Sequence, residues 1–247
     1  MAGIRSLTAG IGLATMLSFN KSHCLGTESG SAGNKQYTAV RVKDAKTKSK
    51  VVHFVRHAQG HHNVAGKTDP LFGYLREDLE DAVLTDFGIS QCVQLAAAGK
   101  ADVKGAKLLV VSPLHRTMQT ATLSFPHLVG KIPFIAYENL REQTGLHPCD
   151  RRKPLSVHRL NFQHVDFAHV ADETDPLYYK YTLREPKDHV AARARLFMQW
   201  LGERPEEEII VVSHKGYLLH LFGIIDTGGK NDEFENCEMR SFVVNFA

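Results

Sequence analysis

Three short runs, "VVHFVR" at 51–56, "AKLLVVSP" at 106–113 and "EEIIVVSH" at 207–214, are almost wholly apolar and β-branched before each gives way to polar residues. Runs of this length and composition read as buried strands, and what lies between them reads as helix. In "DFGISQCVQLAAAG", Phe87, Val93, Leu95 and the alanines supply the apolar positions, Thr85 or Asp86 a cap and Gly99 a stop. "LHRTMQTATLSF" is a second helix, "IPFIAY" a shorter strand, "HVAARARLFMQWLGER" a strongly amphipathic helix, "GYLLHLFGII" another, and "MRSFVVNF" a last strand. Strands alternating with helices define an α/β fold, expected here as a three-layer α/β/α sandwich around a mostly parallel sheet. Residues 145–187, rich in charge, aromatics, His and Pro, lack periodicity and are expected to form loops and short helices over one end of that sheet.

The polar ends of the strands constrain function. The first run ends in Arg56-His57, the second in Ser112-Pro113 leading to Arg116, and the third in Ser213-His214. Parallel strands deliver their C-terminal ends to one edge, where loop amides and helix N-termini converge on ligands. Two arginines and two histidines at such an edge suit a dianionic phosphoryl group.

Composition bounds the rest. With 247 residues, 43% hydrophobic and 23% charged, one sizeable globular domain accounts for the chain. The formal charge of +3 is misleading, because residues 1–50 hold eight of the 30 Lys/Arg and two of the 27 Asp/Glu. The body from Val51 is therefore mildly acidic, which argues against a nucleic-acid surface. Residues 1–49 read as a targeting-like leader followed by a Gly-, Ser- and Lys-rich disordered linker, with the domain spanning 50–247. The apolar part of the leader is too short and too broken to span a bilayer. Transit to an organelle, mitochondrion or plastid, is favoured over a secretory signal and over a merely ragged N-terminus on a cytoplasmic protein. Cys24, Cys92, Cys149 and Cys237 are widely spaced with no CxxC pair and read as reduced thiols.

"VRHAQGHHN", "LTDFG", "SPLHRTMQTA", "NLRE" and "VVSH" resemble the histidine phosphatase superfamily, the phosphoglycerate mutase-like proteins, over nearly the whole of 51–247. "GLHPCDRR", "VDFAHV", "LREPKDHVAAR" and "ENCEMRSFVV" are similar to its plant-type members. The resemblance implies that Arg56 binds phosphate, His57 is the nucleophile, Asn63 and Arg116 bind the phosphoryl group, Glu142 is the proton donor and His214 the second histidine. It also implies a phosphohistidine intermediate, a small phosphorylated substrate and no cofactor. Independent chemistry agrees: a fixed, neutral imidazole is a competent nucleophile. Arginine forks pair bidentately with phosphate oxygens, and a departing alkoxide needs an acid.

Other readings stand beside these. His53, His57 and His61 are four apart, a zinc-like spacing on a helix, but Val51, Val52, Phe54 and Val55 place the segment in a strand. His61 and His62 read as pocket rim or solvated residues. Glu138 competes with Glu142 as acid, though the family's Leu-x-Glu spacing fits Leu140-Arg141-Glu142. Arg151 and Arg152 form either a solvated turn or a reader of a second anionic group. Ala58, Gly60 and Lys215 depart from the common family pattern of Gly, Ser and Gly, and Lys215 bears on substrate choice. Gln143-Thr144-Gly145 replaces the Arg-Tyr-Gly that follows the acid in cofactor-dependent mutases. The expected activity is thus a phosphomonoesterase, with a phosphoglycerate mutase as runner-up and a weakly active phospho-ligand-binding relative as the alternative from another class.

Overall fold

The computed structural model describes residues 37–40, 49–98, 102–226 and 233–246. Strands β1 (Tyr37–Val40) and β2 (Ser49–Arg56) precede helices α1 (His61–Thr68) and α2 (Asp86–Ala98). Strand β3 (Leu108–Val111), helix α3 (His115–Ser124) and strand β4 (Phe134–Tyr137) follow. The excursion contains α4 (Leu155–Asn161), β5 (Val165–His169) and α5 (Pro176–Tyr179), and the chain then runs through α6 (Lys187–Glu203), β6 (Glu208–Ser213), α7 (Lys215–Phe222), β7 (Ile225–Asp226) and β8 (Met239–Asn245).

These strands form one sheet in the order β5-β4-β3-β6-β2-β8-β1-β7. From β5 to β2 every pairing is parallel, β8 runs antiparallel to both β2 and β1, and β1 pairs parallel with β7. Only β8 opposes the common direction among the described strands. Both faces of the central strands are dry. Val52, Phe54, Leu108, Val110, Ile209 and Val211 pack against α6 and α7, whereas Val55, Leu109, Val111, Ile210 and Val212 pack against α3 and the end of the excursion. This two-sided burial explains why the strand sequences do not alternate. Helix α6 meets the sheet through Val190, Ala194, Phe197 and Leu201, spaced on one helical face.

The sandwich is as expected, but its edges differ from the sequence reading. Tyr37–Val40, assigned to a disordered linker, form β1 and hydrogen-bond to β8 through Thr38, Ala39 and Val40. Four residues with two β-branched members are too short a run to register as a strand by pattern, and the antiparallel edge of β8 supplies the ladder that orders them. Apart from Ser49 in β2, the rest of the leader and linker lies outside the described residues. Within 145–187, β5 extends the sheet beside β4, and Phe167 and Val165 face the core. No described helix is long and apolar enough to cross a membrane.

Candidate active site

The C-terminal ends of β2, β3 and β6 meet at one edge, and the segment after β4 joins them. His57 N–H donates to Ser213 O at 2.9 Å, Ser112 N–H to Val212 O at 3.0 Å, and Ser213 Oγ to Leu140 O at 2.7 Å, which ties the acid-bearing segment to β6. A cavity of about 220 Å³ opens there, lined by Arg56, His57, His62, Asn63, Tyr74 and Arg116 on one side. Glu142, His147, Cys149, Asp150, Arg184 and Lys215 complete it.

His57 is the centre of this arrangement. Its Nδ1 donates to Ala58 O at 2.8 Å, and Ala58 N–H is held by Thr120 Oγ1 at 3.0 Å, one turn along α3 from Arg116. That bond fixes the ring and the tautomer, leaving the Nε2 lone pair for the cavity. Burial, reinforced by the Arg116 and Arg56 guanidiniums, holds His57 well below the ordinary imidazole pKa. A neutral, immobilised imidazole with one free nitrogen is what nucleophilic attack on phosphorus requires.

His214 stacks obliquely 5.1 Å from His57, and its Nε2 shares a 2.8 Å hydrogen bond with Ser112 Oγ. Burial and then Arg116 depress its pKa as well, so both rings are neutral in the free site. The cationic contribution comes from arginines. Arg56 donates to Phe234 O at 2.7 Å, and burial lowers its pKa from the ordinary guanidinium value. Arg116, in the first turn of α3, donates Nη1 to Cys149 O at 2.6 Å and Nη2 to Asp150 Oδ1 at 2.9 Å. Both Nε–H groups are buried and find no acceptor in the protein. Buried donors without acceptors are rare, and these two belong to residues lining a cavity suited to an anion. Helix α3 is held in turn by Asp81, which accepts His115 N–H at 2.7 Å and contacts His158 Nε2 at 2.8 Å.

Glu142 sits against the start of α7. Its carboxylate accepts N–H bonds from Tyr217 at 2.9 Å, Gly216 at 3.0 Å and its own neighbour Gln143 at 2.8 Å. A helix N-terminus is a natural seat for a carboxylate. The structure therefore brings Arg56, His57, Asn63, Arg116, Glu142, His214 and Lys215 together at one edge. Asn63 caps α1 through Gly60 N–H at 3.0 Å, and Lys215 stands at the rim, ion-paired with Glu233 at 2.6 Å.

Other expectations separate from the site. Arg151 points to Glu80 and Glu77, and Arg152 is buried, binding the carbonyls of Asp172, Glu173 and Thr174. Neither lines the cavity, so they do not read an anionic group beside His57. Their charges serve the excursion loop instead. Glu138 pairs with Arg141 at 2.8 Å and does not line the cavity, whereas Glu142 does. His53 lies one sheet layer back, bonded to Ser241 Oγ at 2.7 Å and Glu208 Oε1 at 3.3 Å, while His61 is exposed; the three histidines spaced four apart do not converge.

His62, expected at the rim or in solvent, is a buried wall of the cavity 5.4 Å from His57. Gly60 makes room for it, since a Cβ there would approach His62 Nδ1 to 2.7 Å. Sequence reasoning missed Arg184, whose Nη1 reaches Asp150 Oδ2 at 2.8 Å, and the Tyr74–His147 stack at 5.2 Å. Both come from aperiodic segments, where no pattern announces which side chains turn inward. Four cations, Arg56, Arg116, Arg184 and Lys215, line the cavity against two carboxylates, Glu142 and Asp150. With neutral histidines the walls keep an excess of positive charge even though Lys215 is ion-paired with Glu233 at the rim, as binding of a phosphoryl anion requires.

Fold and pocket together set two neutral histidines and a cluster of arginines at the C-terminal edge of a mostly parallel sheet, an arrangement suited to binding a phosphoryl group. The profile of the "Histidine phosphatase superfamily (branch 1)" matches residues 52–244, and the chain belongs to that family. A phosphoglycerate mutase-like protein of Arabidopsis thaliana is 36% identical over 233 residues, covering 79% of this chain and 84% of the relative. Among solved structures, the ecdysone phosphate phosphatase of the silkworm Bombyx mori in complex with tungstate matches with a TM-score of 0.56 at 14% identity, covering 78% of this chain and 88% of that one. Phosphoglycerate mutase from Bacillus anthracis matches with a TM-score of 0.55 at 16% identity, covering 81% and 92%. At these identities the two structures share the fold. Family membership supports a phosphatase or mutase activity for this chain.

Proposed function

We propose that the protein is a phosphomonoesterase that hydrolyses a small phosphorylated metabolite through a phosphohistidine on His57. The observation that carries this is the His57 ring, neutral and locked by Ala58 O, in a cavity walled by Arg56, Arg116 and Arg184. Nε2 attacks phosphorus in line with the ester oxygen. Arg56 and Arg116 stabilise the charge spread over the equatorial oxygens, and Asn63 and Arg184 help to orient the group. Glu142 takes up a proton as the phosphoryl dianion binds and delivers it to the departing alkoxide, and the carboxylate left behind then accepts the proton of the attacking water when the phosphohistidine is hydrolysed.

The preference for hydrolysis over mutase chemistry rests on the residues after the acid. Gln143 Nε2 donates to Glu185 O at 2.7 Å and Thr144 N–H reaches Glu185 Oε2 at 3.4 Å, so both are bonded to Glu185, ahead of α6, and neither lines the cavity. A mutase has to retain a bisphosphate while excluding water, and the positions following Glu142 contribute nothing to such retention. Phosphate release from a panel of phosphorylated sugars, acids and alcohols tests the reading, with 3-phosphoglycerate plus a trace of 2,3-bisphosphoglycerate as the contrasting arm. Turnover to free phosphate is expected. Efficient isomerisation with little phosphate released would make the protein a mutase.

A further inference from the structure

Glu142 is held from two sides. Its carboxylate rests on the amides that open α7, and its main chain rests on a buried ion pair that lines no part of the catalytic cavity. Arg193, in the second turn of α6, is 8% exposed, and Glu185, just ahead of that helix, 1%. The pair is bidentate: Arg193 Nε donates to Glu185 Oε1 at 2.8 Å and Nη2 to Oε2 at 2.7 Å. The rest of the guanidinium goes to carbonyls around the acid, Nη1 to Asn139 O at 2.8 Å and Arg141 O at 3.0 Å, and Nη2 to Glu142 O at 3.3 Å. A guanidinium has five N–H donors, and every one is used here.

Glu185 takes hold of the residues that follow the acid. Its carboxylate accepts Thr144 N–H at 3.4 Å, its carbonyl accepts Gln143 Nε2 at 2.7 Å, and its N–H donates to Thr144 O at 2.9 Å. The Arg193 guanidinium also lies over the Tyr217 ring, 5.3 Å from its centroid, and Tyr217 N–H is the donor that meets Glu142 Oε1 at 2.9 Å. One side chain thus touches both the segment that carries the acid and the residue that receives its carboxylate. The nucleophile has supports of its own, from a turn near the C-terminus. Cys237 N–H bridges Arg56 O at 3.1 Å and His57 O at 3.2 Å, and Asn236 Nδ2 donates to His57 O at 3.0 Å. None of these comes from α6.

We propose that the Arg193–Glu185 pair positions the acid: it fixes where the Glu142 carboxylate stands in the cavity, and so governs proton transfer to the departing alkoxide while taking no part in attack by His57. The inference rests on the phosphomonoesterase reading, in which Glu142 is the proton donor. Neither member of the pair lines the cavity, so both act through Glu142. Proton transfer needs the carboxyl within hydrogen-bond reach of the leaving oxygen. A displacement of about 1 Å at a reacting group lowers turnover by roughly 10²-fold. A lysine at 193 keeps a positive charge opposite Glu185 but offers three donors from one point instead of five in a planar fork. It cannot hold Glu185 bidentately and reach three carbonyls at once.

The test compares Arg193→Lys with the parent protein on glycerol 2-phosphate, an alkyl ester, and on 4-nitrophenyl phosphate, whose leaving group departs without a proton. On the alkyl ester kcat should fall by about 10²-fold with KM little changed, and on the aryl ester it should fall far less. In a Glu142→Gln background the same change should add almost nothing on glycerol 2-phosphate, because the group it positions is already gone. If urea unfolding shows that Arg193→Lys folds poorly, Glu185→Gln combined with Arg193→Met takes its place, since it removes both buried charges together and strands neither. Equal losses on the two substrates, unchanged turnover of the alkyl ester, or a full further loss in the Glu142→Gln background would each overturn the positioning role. Two results fall on the phosphatase reading itself and take the pair's role with it: a Glu142→Gln variant that loses equally on both substrates, and a parent protein that releases phosphate from neither.

Discussion

Mild acid is a perturbation that reads the pocket without changing a residue. His57, His62 and His214 are fully buried, and burial followed by the charge of Arg116 sets all three well below 6.5. The folded state therefore carries them neutral, while the unfolded chain protonates each with a pKa of about 6.5. Below that value the unfolded state binds more protons, so stability is full above pH 6.5 and is lost as pH falls toward the folded-state pKa values. Between pH 7 and 5.5 each ring removes on the order of 1 kcal/mol, and the three together a few times that, against a typical total of about 5–15 kcal/mol. Partly buried His53, His115 and His147 act in the same direction. Urea unfolding at four pH values in this interval, at constant ionic strength, measures the loss above the range where carboxylates titrate. His62→Gln should weaken the pH dependence by on the order of 1 kcal/mol across the interval, one ring's share. A wild-type stability that is flat from pH 7 to 5.5, or a His62→Gln variant with unchanged pH dependence, would refute the assignment of neutral buried imidazoles.

His57→Ala should abolish phosphate release with near wild-type unfolding, while acid quenching should lose, and alkaline quenching retain, a phosphoenzyme in the parent protein alone. Glu142→Gln should slow alkyl phosphates by about 10²- to 10⁴-fold and aryl phosphates far less, a difference read from kcat on paired substrates. Asp150→Asn leaves the buried Arg116, and the partly exposed Arg184, without their shared carboxylate, and should cost about 3–5 kcal/mol in urea unfolding. Because arginines neutralise the phosphoryl charge in this scheme, exhaustive chelation should leave turnover unchanged; loss restored by zinc or manganese would refute it.

Sequence periodicity exposed the parts of the molecule where one physical rule dominates. The central strands were legible because two-sided burial leaves no room for polar residues, and α6 because one face alone packs. The positions of Arg56, His57, Arg116 and His214 followed from strand ends in a parallel sheet, and Glu142 from family spacing. What stayed hidden depends on long-range partners. Tyr37–Val40 is a strand because β8 offers it an edge. Arg152 reads equally as part of a solvated turn or as a reader of an anionic group because charge next to charge in "CDRR" carries no direction, and it is the carbonyls of Lys153 and of residues 172–174 that consume it. Arg184 was silent for the converse reason: Asp150, 34 positions away, decides that it turns inward.

The grip of the 234–238 turn on Arg56 and His57 has a consequence for biosynthesis. Arg56 Nη1 waits on Phe234 O, Arg56 N–H on Glu238 O, and the His57 carbonyl on Asn236 and Cys237. These partners are translated about 180 residues after the histidine they hold. A ribosome-bound chain can pair β2 with β6 and dock α6 and α7 before then, yet its nucleophile has no backing until the turn emerges and β8 zips onto β2. Catalytic competence is therefore among the last properties the chain acquires during synthesis, so premature termination before residue 234 yields a product without the clamp on its nucleophile.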